Sequence, residues 1–265
     1  MELNEVIITR SIIERYTDKL LSHVECDVAI VGGGPSGLVA GYELARAGKK
    51  VALFERKLSI GGGVWGGGMM FNEIVVQDRA LHILDAFGIR YQRVQEHYLV
   101  CDAVETASTL TSKSVQAGLA VFNCITVEDV LMREDCILGL VINWAPVDRA
   151  GLHIDPLTVR SRFVIDATGH PTEIVRVVQE KVPGRLITPT GRVEGEKSMW
   201  SERAESLTLE NTREVFPGLV VAGMAANATF GGPRMGPIFG GMLLSGEKAA
   251  QWILDRLDEE GEAGQ

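Results

Sequence analysis

Cysteine is scarce and scattered: Cys26, Cys101, Cys124 and Cys136 form no CxxC pair and no zinc-like spacing. That excludes a flavin disulfide reductase, which needs a redox-active pair, and it removes the most obvious nucleophile. Apolar neighbours predict buried free thiols, as in a reducing compartment. No apolar run is long enough to span a bilayer, and the N-terminus lacks the basic start and apolar core of a signal peptide. The cytoplasm is the expected compartment, with no membrane partner. Positive charge is also short, 26 Lys and Arg against 35 Asp and Glu, for a net charge of −9. A nucleic-acid or anionic-membrane surface is therefore not expected, and any anionic ligand must be held by local groups. No internal repeat is visible.

What is present is a substantial core: 265 residues, 46% hydrophobic and 23% charged, are enough for one domain spanning residues 1–265. Its organising stretch runs from Cys26 to Glu55. The apolar run Cys26 to Val31 reads as a buried parallel strand that meets Gly32-Gly33-Gly34-Pro35-Ser36-Gly37. Gly32 permits a tight turn, Gly34 lets a pyrophosphate approach the backbone, and Gly37 lets the next helix pack closely. The N–H groups at that helix's N-terminus attract the diphosphate. A second strand, Lys50 to Phe54, ends on Glu55, where a carboxylate can accept hydrogen bonds from both ribose hydroxyls and disfavours a 2′-phosphate. NAD, FAD or another ADP-containing ligand is the expected occupant.

Along the rest of the chain, residues 4–21 read as a helix with Val6, Ile7, Ile12, Ile13, Tyr16, Leu20 and Leu21 near one face, which covers the sheet or meets another subunit. Gly61 to Gly68 holds six glycines around Trp65 and precedes Met69-Met70-Phe71, a pattern suited to close approach of backbone to a ligand. Helices are predicted over 76–88, 104–117 and about 238–257. Strands are predicted at Tyr98 to Cys101, Ala120 to Cys124, Leu138 to Trp144, Arg162 to Asp166 and within Pro217 to Met224. Residues 181–203 predict an irregular, mobile loop, and the acidic tail from Asp258 a frayed end. His82 and His97 lie in surface-like patterns and receive no role.

The strand ending at Asp166 leads into Ala167-Thr168-Gly169-His170. Ligands of doubly wound sheets bind outside the carboxyl ends of strands, so His170 is expected in the same crevice as the glycines. The pattern resembles flavin-binding two-dinucleotide folds, a Rossmann-like FAD/NAD(P)-binding α/β architecture with a three-layer ββα arrangement. In those folds a late strand ends Gly-Asp, whereas here the dipeptide is Gly223-Met224. The missing acid weakens a flavin assignment. Arg234, between Gly-Gly-Pro and Met-Gly-Pro, offers a rigid fork for a carboxylate or phosphate, with a surface salt bridge as the plain alternative. Asp155 and His170, from separate segments, suit Fe(II) or another divalent metal; by spacing alone a structural His–Asp hydrogen bond is the simpler reading.

Taken together, GGGPSG with Glu55, GGGVWGGG, HIDP, ATGH and RMGP resemble the thiazole synthases of thiamin biosynthesis over nearly the whole chain. That resemblance implies an enzyme that consumes NAD as a substrate, condenses the derived ADP-ribose ketone with glycine and adds sulfur, giving an adenylated thiazole carboxylate. It implies that Asp155 and His170 bind Fe(II), and that Arg234, with Met235 and Gly236, holds the glycine-derived carboxylate. Gly32, Gly34, Ser36, Gly37 and Glu55 would hold the ADP moiety, joined by Arg56, Gly63, Val127 and Met224. It further implies a ring-like homo-octamer. Where eukaryotic members carry a sulfur-donating cysteine, this chain has His153, so the resemblance is to the sulfide-using branch, in which iron escorts free sulfide. His153 either assists proton transfer or fills the space of the thiol. An FAD-dependent oxidoreductase of the same fold and a non-catalytic ADP-ligand binder are the alternatives.

Overall fold

The computed structural model describes residues 3–263. The chain opens with α1 (Glu5–Leu21), capped by the Asn4 side chain, which accepts from the N–H groups of Val6 and Ile7. Then follow β1 (Glu25–Val31), α2 (Pro35–Arg46) and β2 (Val51–Glu55). Next come β3 (Glu73–Gln77), α3 (Leu81–Phe87), β4 (Gln92–Gln95), β5 (Tyr98–Asp102) and α4 (Ala103–Gln116). The middle holds β6 (Ala120–Asn123), β7 (Ile125–Arg133), β8 (Cys136–Trp144), α5 (Ala145–Arg149), β9 (Leu157–Asp166) and α6 (Glu173–Lys181). The chain closes with α7 (Ser201–Asn211), β10 (Arg213–Phe216), β11 (Leu219–Val221), α8 (Met224–Phe230) and α9 (Gly240–Ala263).

The main sheet runs β10-β11-β9-β1-β2-β6, with β7 and β8 attached through β9. β11, β9, β1, β2 and β6 are mutually parallel, so their carboxyl ends share one edge. Alternation along β1 divides the core, as the two-residue period of a strand requires. Val28 and Ile30 join the cluster under α2, α4 and α9, while Ala29 and Val31 join the cluster under β7, β8 and α6. The result is the expected α/β, ββα layering of helices, parallel sheet and a second β layer.

Several local expectations change. The first part of the predicted helix 76–88 is strand β3, because the β-branched run Ile74-Val75-Val76 pairs with Leu99 to Cys101 of β5. A 3-10 turn at Asp78–Ala80 leads into the α-helix, which begins at Leu81, and Gly88 ends it in the left-handed conformation, φ 73°. Strands β4 and β7, unread in the sequence, pair with β5 and β8. The acidic tail continues as helix through Ala263 rather than fraying from Asp258, and residues 264–265 lie outside the described part. Of the α1 stripe, only Tyr16 and Leu20 pack on the core; Val6, Ile7, Ile12, Ile13 and Leu21 stay exposed. Of the four free cysteines only Cys101 is fully buried. Burial pushes the Cys26 thiol up to about 12 and the Cys101 thiol up to about 11, so neither is a nucleophile at neutral pH.

Between α6 and α7, residues 182–200 have no helix or strand but are tied to the body by backbone bonds. The N–H groups of Glu194, Gly195 and Lys197 donate to Thr229, Ala228 and Gly232, and Arg234 N–H donates back to Lys197. Below this ladder Glu205 of α7 lies 3% exposed, one oxygen accepting the Gly241 N–H of α9 at 2.7 Å, the other unpartnered. Burial raises its carboxyl to about 7, against the pull of that bond and of Arg79.

Candidate functional site

Five parallel strands ending at one edge leave a cavity of about 800 Å³. Its floor is the turn after β1. Gly32 sits at φ 103°, a conformation only glycine adopts freely, and a Cβ on it would collide with the Ala167 carbonyl. A Cβ on Gly37 would collide with the Gly32 carbonyl, so α2 lies as close to the strand as backbone allows. Above Gly34, by contrast, a Cβ would meet nothing within 4 Å: this is the open ground where a ligand can reach the backbone. Gly32, Gly34 and Ser36 line the cavity, and Gly37 supports them from beneath.

Glu55, 8% exposed, ends β2 with both oxygens engaged: Oε2 accepts the Gly33 N–H at 2.8 Å and Oε1 the Lys57 N–H at 2.8 Å. Each oxygen keeps a lone pair for a ribose hydroxyl. Arg56 also lines the cavity and is held by Glu173, Nη1 to Oε1 2.6 Å. Burial raises the Glu173 carboxyl and Arg56 lowers it. The glycine-rich loop folds back against the fingerprint: Gly61 N–H donates to the Gly33 carbonyl at 2.7 Å and Trp65 Nε1 to the Ile60 carbonyl at 2.6 Å. Gly63 thereby reaches the cavity wall, as does Val127 beyond β6.

The opposite side is built after β9. Asp166 is completely buried, with Oδ1 accepting from Thr168 N and Oγ1 and Oδ2 from the N–H groups of Ile174 and Val175, all at 2.7–3.0 Å. Burial pushes its pKa upward while these four donors pull it down. The turn it holds carries Thr172 at φ 48°, a strained conformation for a β-branched residue that costs about 1–3 kcal/mol. That turn presents His170, half exposed, whose Nδ1 lies 2.5 Å from Glu196 Oε1. Glu196 Oε2 is in turn 4.0 Å from Arg234 Nε. Arg234, Met235 and Gly236 line the cavity, and Ser201 Oγ fixes the Met235 carbonyl at 2.7 Å. Met224, at the start of α8, stands where related folds place an acid, and it too lines the cavity.

Thirteen of the fifteen residues read from the sequence are thus gathered here, twelve on the wall, His170 among them, and Gly37 beneath. His153 and Asp155 are not. They lie on the exposed stretch between α5 and β9, anchored by Asn143 Nδ2 on the Ile154 carbonyl at 3.0 Å. Asp155 precedes β9 and His170 follows it, so a ten-residue strand, rising about 3.3 Å per residue, holds them apart within one chain. Among the described residues no group of three or more His, Cys, Asp or Glu is arranged to hold a metal. Sequence reading missed Asp166, Glu173 and Glu196. The first had a signal, an acid ending an apolar strand; the other two are ordinary charges until the fold pairs them.

Across the crevice the order is Met224, His170, fingerprint, Glu55, Val127, following β11, β9, β1, β2 and β6. Neighbouring strands lie about 4.8 Å apart, so the rim extends roughly 20 Å, the reach of an extended adenine dinucleotide fragment. The chain is 70% identical over 258 residues to a thiamine thiazole synthase of Desulfosudis oleivorans, covering 97% of this chain and all of that one. It is 61% identical over 257 residues to one from Methanothermobacter thermautotrophicus, again covering 97% and 100%. The crystal structure of Thermovibrio ammonificans THI4 superimposes with a TM-score of 0.94 at 51% identity, covering 97% of this chain and 100% of that one. With the Thi4 family profile matching residues 9–239 as well, the chain belongs to the Thi4 family.

Proposed function

We propose that this protein is a thiamine thiazole synthase that makes an adenylated thiazole carboxylate from NAD, glycine and sulfide with Fe(II). The observation that carries the proposal is one cavity holding, in strand order, a nucleotide-binding edge at Glu55 and a charged, forked edge at His170 and Arg234. Glu55 takes the adenosine ribose through the lone pairs left by Gly33 and Lys57. The N-terminus of α2 and the open ground above Gly34 take the diphosphate. Two strands away, Arg234 holds the glycine-derived carboxylate by its terminal amino groups. Relatives 70% and 61% identical that carry this name along their full length support the reading. His153 in place of a cysteine leaves no thiol to donate at that position, which favours free sulfide as the sulfur source.

Within one chain, Asp155 and His170 do not fit a shared metal ion. A second copy lending its Asp155 segment would complete the pair, and Leu152, Ile154 and Leu157, each more than half exposed around Asp155, supply the apolar surface for such a contact. The reading therefore makes a homo-oligomer, the octamer the family resemblance implies, part of the site.

The test begins with protein purified without oxygen. Mass spectrometry of the small molecule released on denaturation, with metal analysis of the same sample, should find an adenylated thiazole or a glycine-linked ADP-pentulose and iron. Added NAD, glycine, Fe(II) and sulfide should release nicotinamide. Stoichiometric FAD, or NAD returned unchanged, would sink the proposal. Copies carrying Asp155→Ala and copies carrying His170→Ala, each inactive alone, should regain activity when co-assembled.

A further inference from the structure

Glu196 has no place in the sequence pattern, yet it bonds His170 and lies at ion-pair distance from Arg234, the two groups on the reactive side of the cavity. We infer that Glu196 is a positioning residue: it holds His170 as the Nδ1–H tautomer, leaving Nε2 as the ring's lone-pair nitrogen, and it attracts Arg234 by charge from the Nε side, leaving its forked edge free for a carboxylate. The inference rests on the synthase reading only for the identity of that carboxylate.

The first half follows from the contact itself. Glu196 Oε1 lies 2.5 Å from His170 Nδ1, and an ionised carboxylate can only accept, so the ring must donate from Nδ1. A free imidazole exchanges its proton between the two nitrogens; one donating into a fixed acceptor does not. Glu196 is fixed. Its side chain is 17% exposed, and the residues on either side are bonded to the body, Gly195 N–H to Ala228 and Lys197 N–H to Gly232.

The second half follows from register. Arg234 N–H donates to the Lys197 carbonyl and Trp200 N–H to the Arg234 carbonyl, so the strap bearing Glu196 and the loop bearing Arg234 move as one piece. Glu196 Oε2 lies 4.0 Å from Arg234 Nε, and no other carboxylate among the described residues pairs with this guanidinium. The two terminal amino groups, which make a bidentate fork, are left for a ligand. One carboxylate thus orients a hydrogen-bond acceptor and an anion clamp toward the same cavity.

The test starts with ligand-free, metal-free protein, so that it does not depend on the reaction assigned. Nitrogen-15 NMR of the five histidines, with His170 identified by its loss in His170→Asn, should show Nδ1 protonated and Nε2 bare at His170. Glu196→Ala should shift His170 toward the Nε2–H tautomer or an exchanging mixture with the fold intact by circular dichroism. Glu196→Gln keeps an acceptor and should keep the tautomer, yet it removes the negative charge facing Arg234 and should raise the KM for glycine several-fold with little change in kcat. An imidazolium or Nε2–H ring in the unaltered protein, or a tautomer unmoved by Glu196→Ala, would overturn the first half. A glycine KM unchanged or lowered in Glu196→Gln would overturn the second. A protein with normal tautomers that releases no nicotinamide would instead count against the synthase reading.

Discussion

The two sides of the crevice are built on different principles. The proposed nucleotide side comes mainly from residues 26–63, where main-chain turns and one carboxylate do most of the work, and its one long tie is the Arg56–Glu173 ion pair. The reactive side draws His170, Glu196 and Arg234 from segments up to 64 residues apart, and side chains meet there only because a strap is laced to a loop. Backbone shape can be written into a short motif; a meeting of side chains needs the whole fold.

Gly37→Val should break the nucleotide side most severely. Its side chain would run into the Gly32 carbonyl, and overpacking of that kind costs roughly 3 kcal/mol or more, so thermal unfolding should shift sharply and ADP-ligand binding should vanish. Asp166→Ala strands four donors on the reactive side, two of them buried, and should cost about 2–3 kcal/mol. If the two sides are as separable as their construction implies, the folded fraction should still bind ADP ligands by calorimetry while losing turnover. Loss of both together would dissolve the comparison.

Glu205 tests the support beneath the reactive side through pH. Its carboxyl is raised in the folded protein to about 7 from an ordinary 4.5, so it binds a proton more tightly folded than unfolded. The neutral form is the stabilising one: its contribution is complete below pH 4.5 and is lost as pH rises through 7. Glu205→Gln, which keeps an acceptor for Gly241, should match the unaltered protein at low pH and exceed it by about 3 kcal/mol at pH 8 in urea titrations. A difference that is flat across that window would refute the buried-acid assignment. The smallest effect belongs to Trp65→Phe. Losing the Nε1 bond to Ile60 should cost about 1 kcal/mol and loosen ADP-ligand binding without touching the His170 tautomer.

The same division governed what could be read in advance. The turn at Gly32 to Gly37, the acid ending β2 and the crevice at the strand ends were legible because each rests on local steric demands or a two-residue period. Residues 76–77 read as helix but are strand, since a short apolar run has no period of its own and the pairing with β5 decides it. The α1 stripe promised burial, but most of it finds no cover within the chain.

By itself the sequence determined that a glycine-floored, acid-edged crevice forms where β1 and β2 end, because Gly32 and Gly37 leave no room for a Cβ there and Glu55 closes β2. Only the tertiary structure decided that, within one chain, His170 answers to Glu196 rather than to Asp155. The reason is physical: β9 holds Asp155 and His170 at its two ends, while a backbone ladder between 194–200 and 228–234, with no signature in hydrophobic period, carries Glu196 to the imidazole.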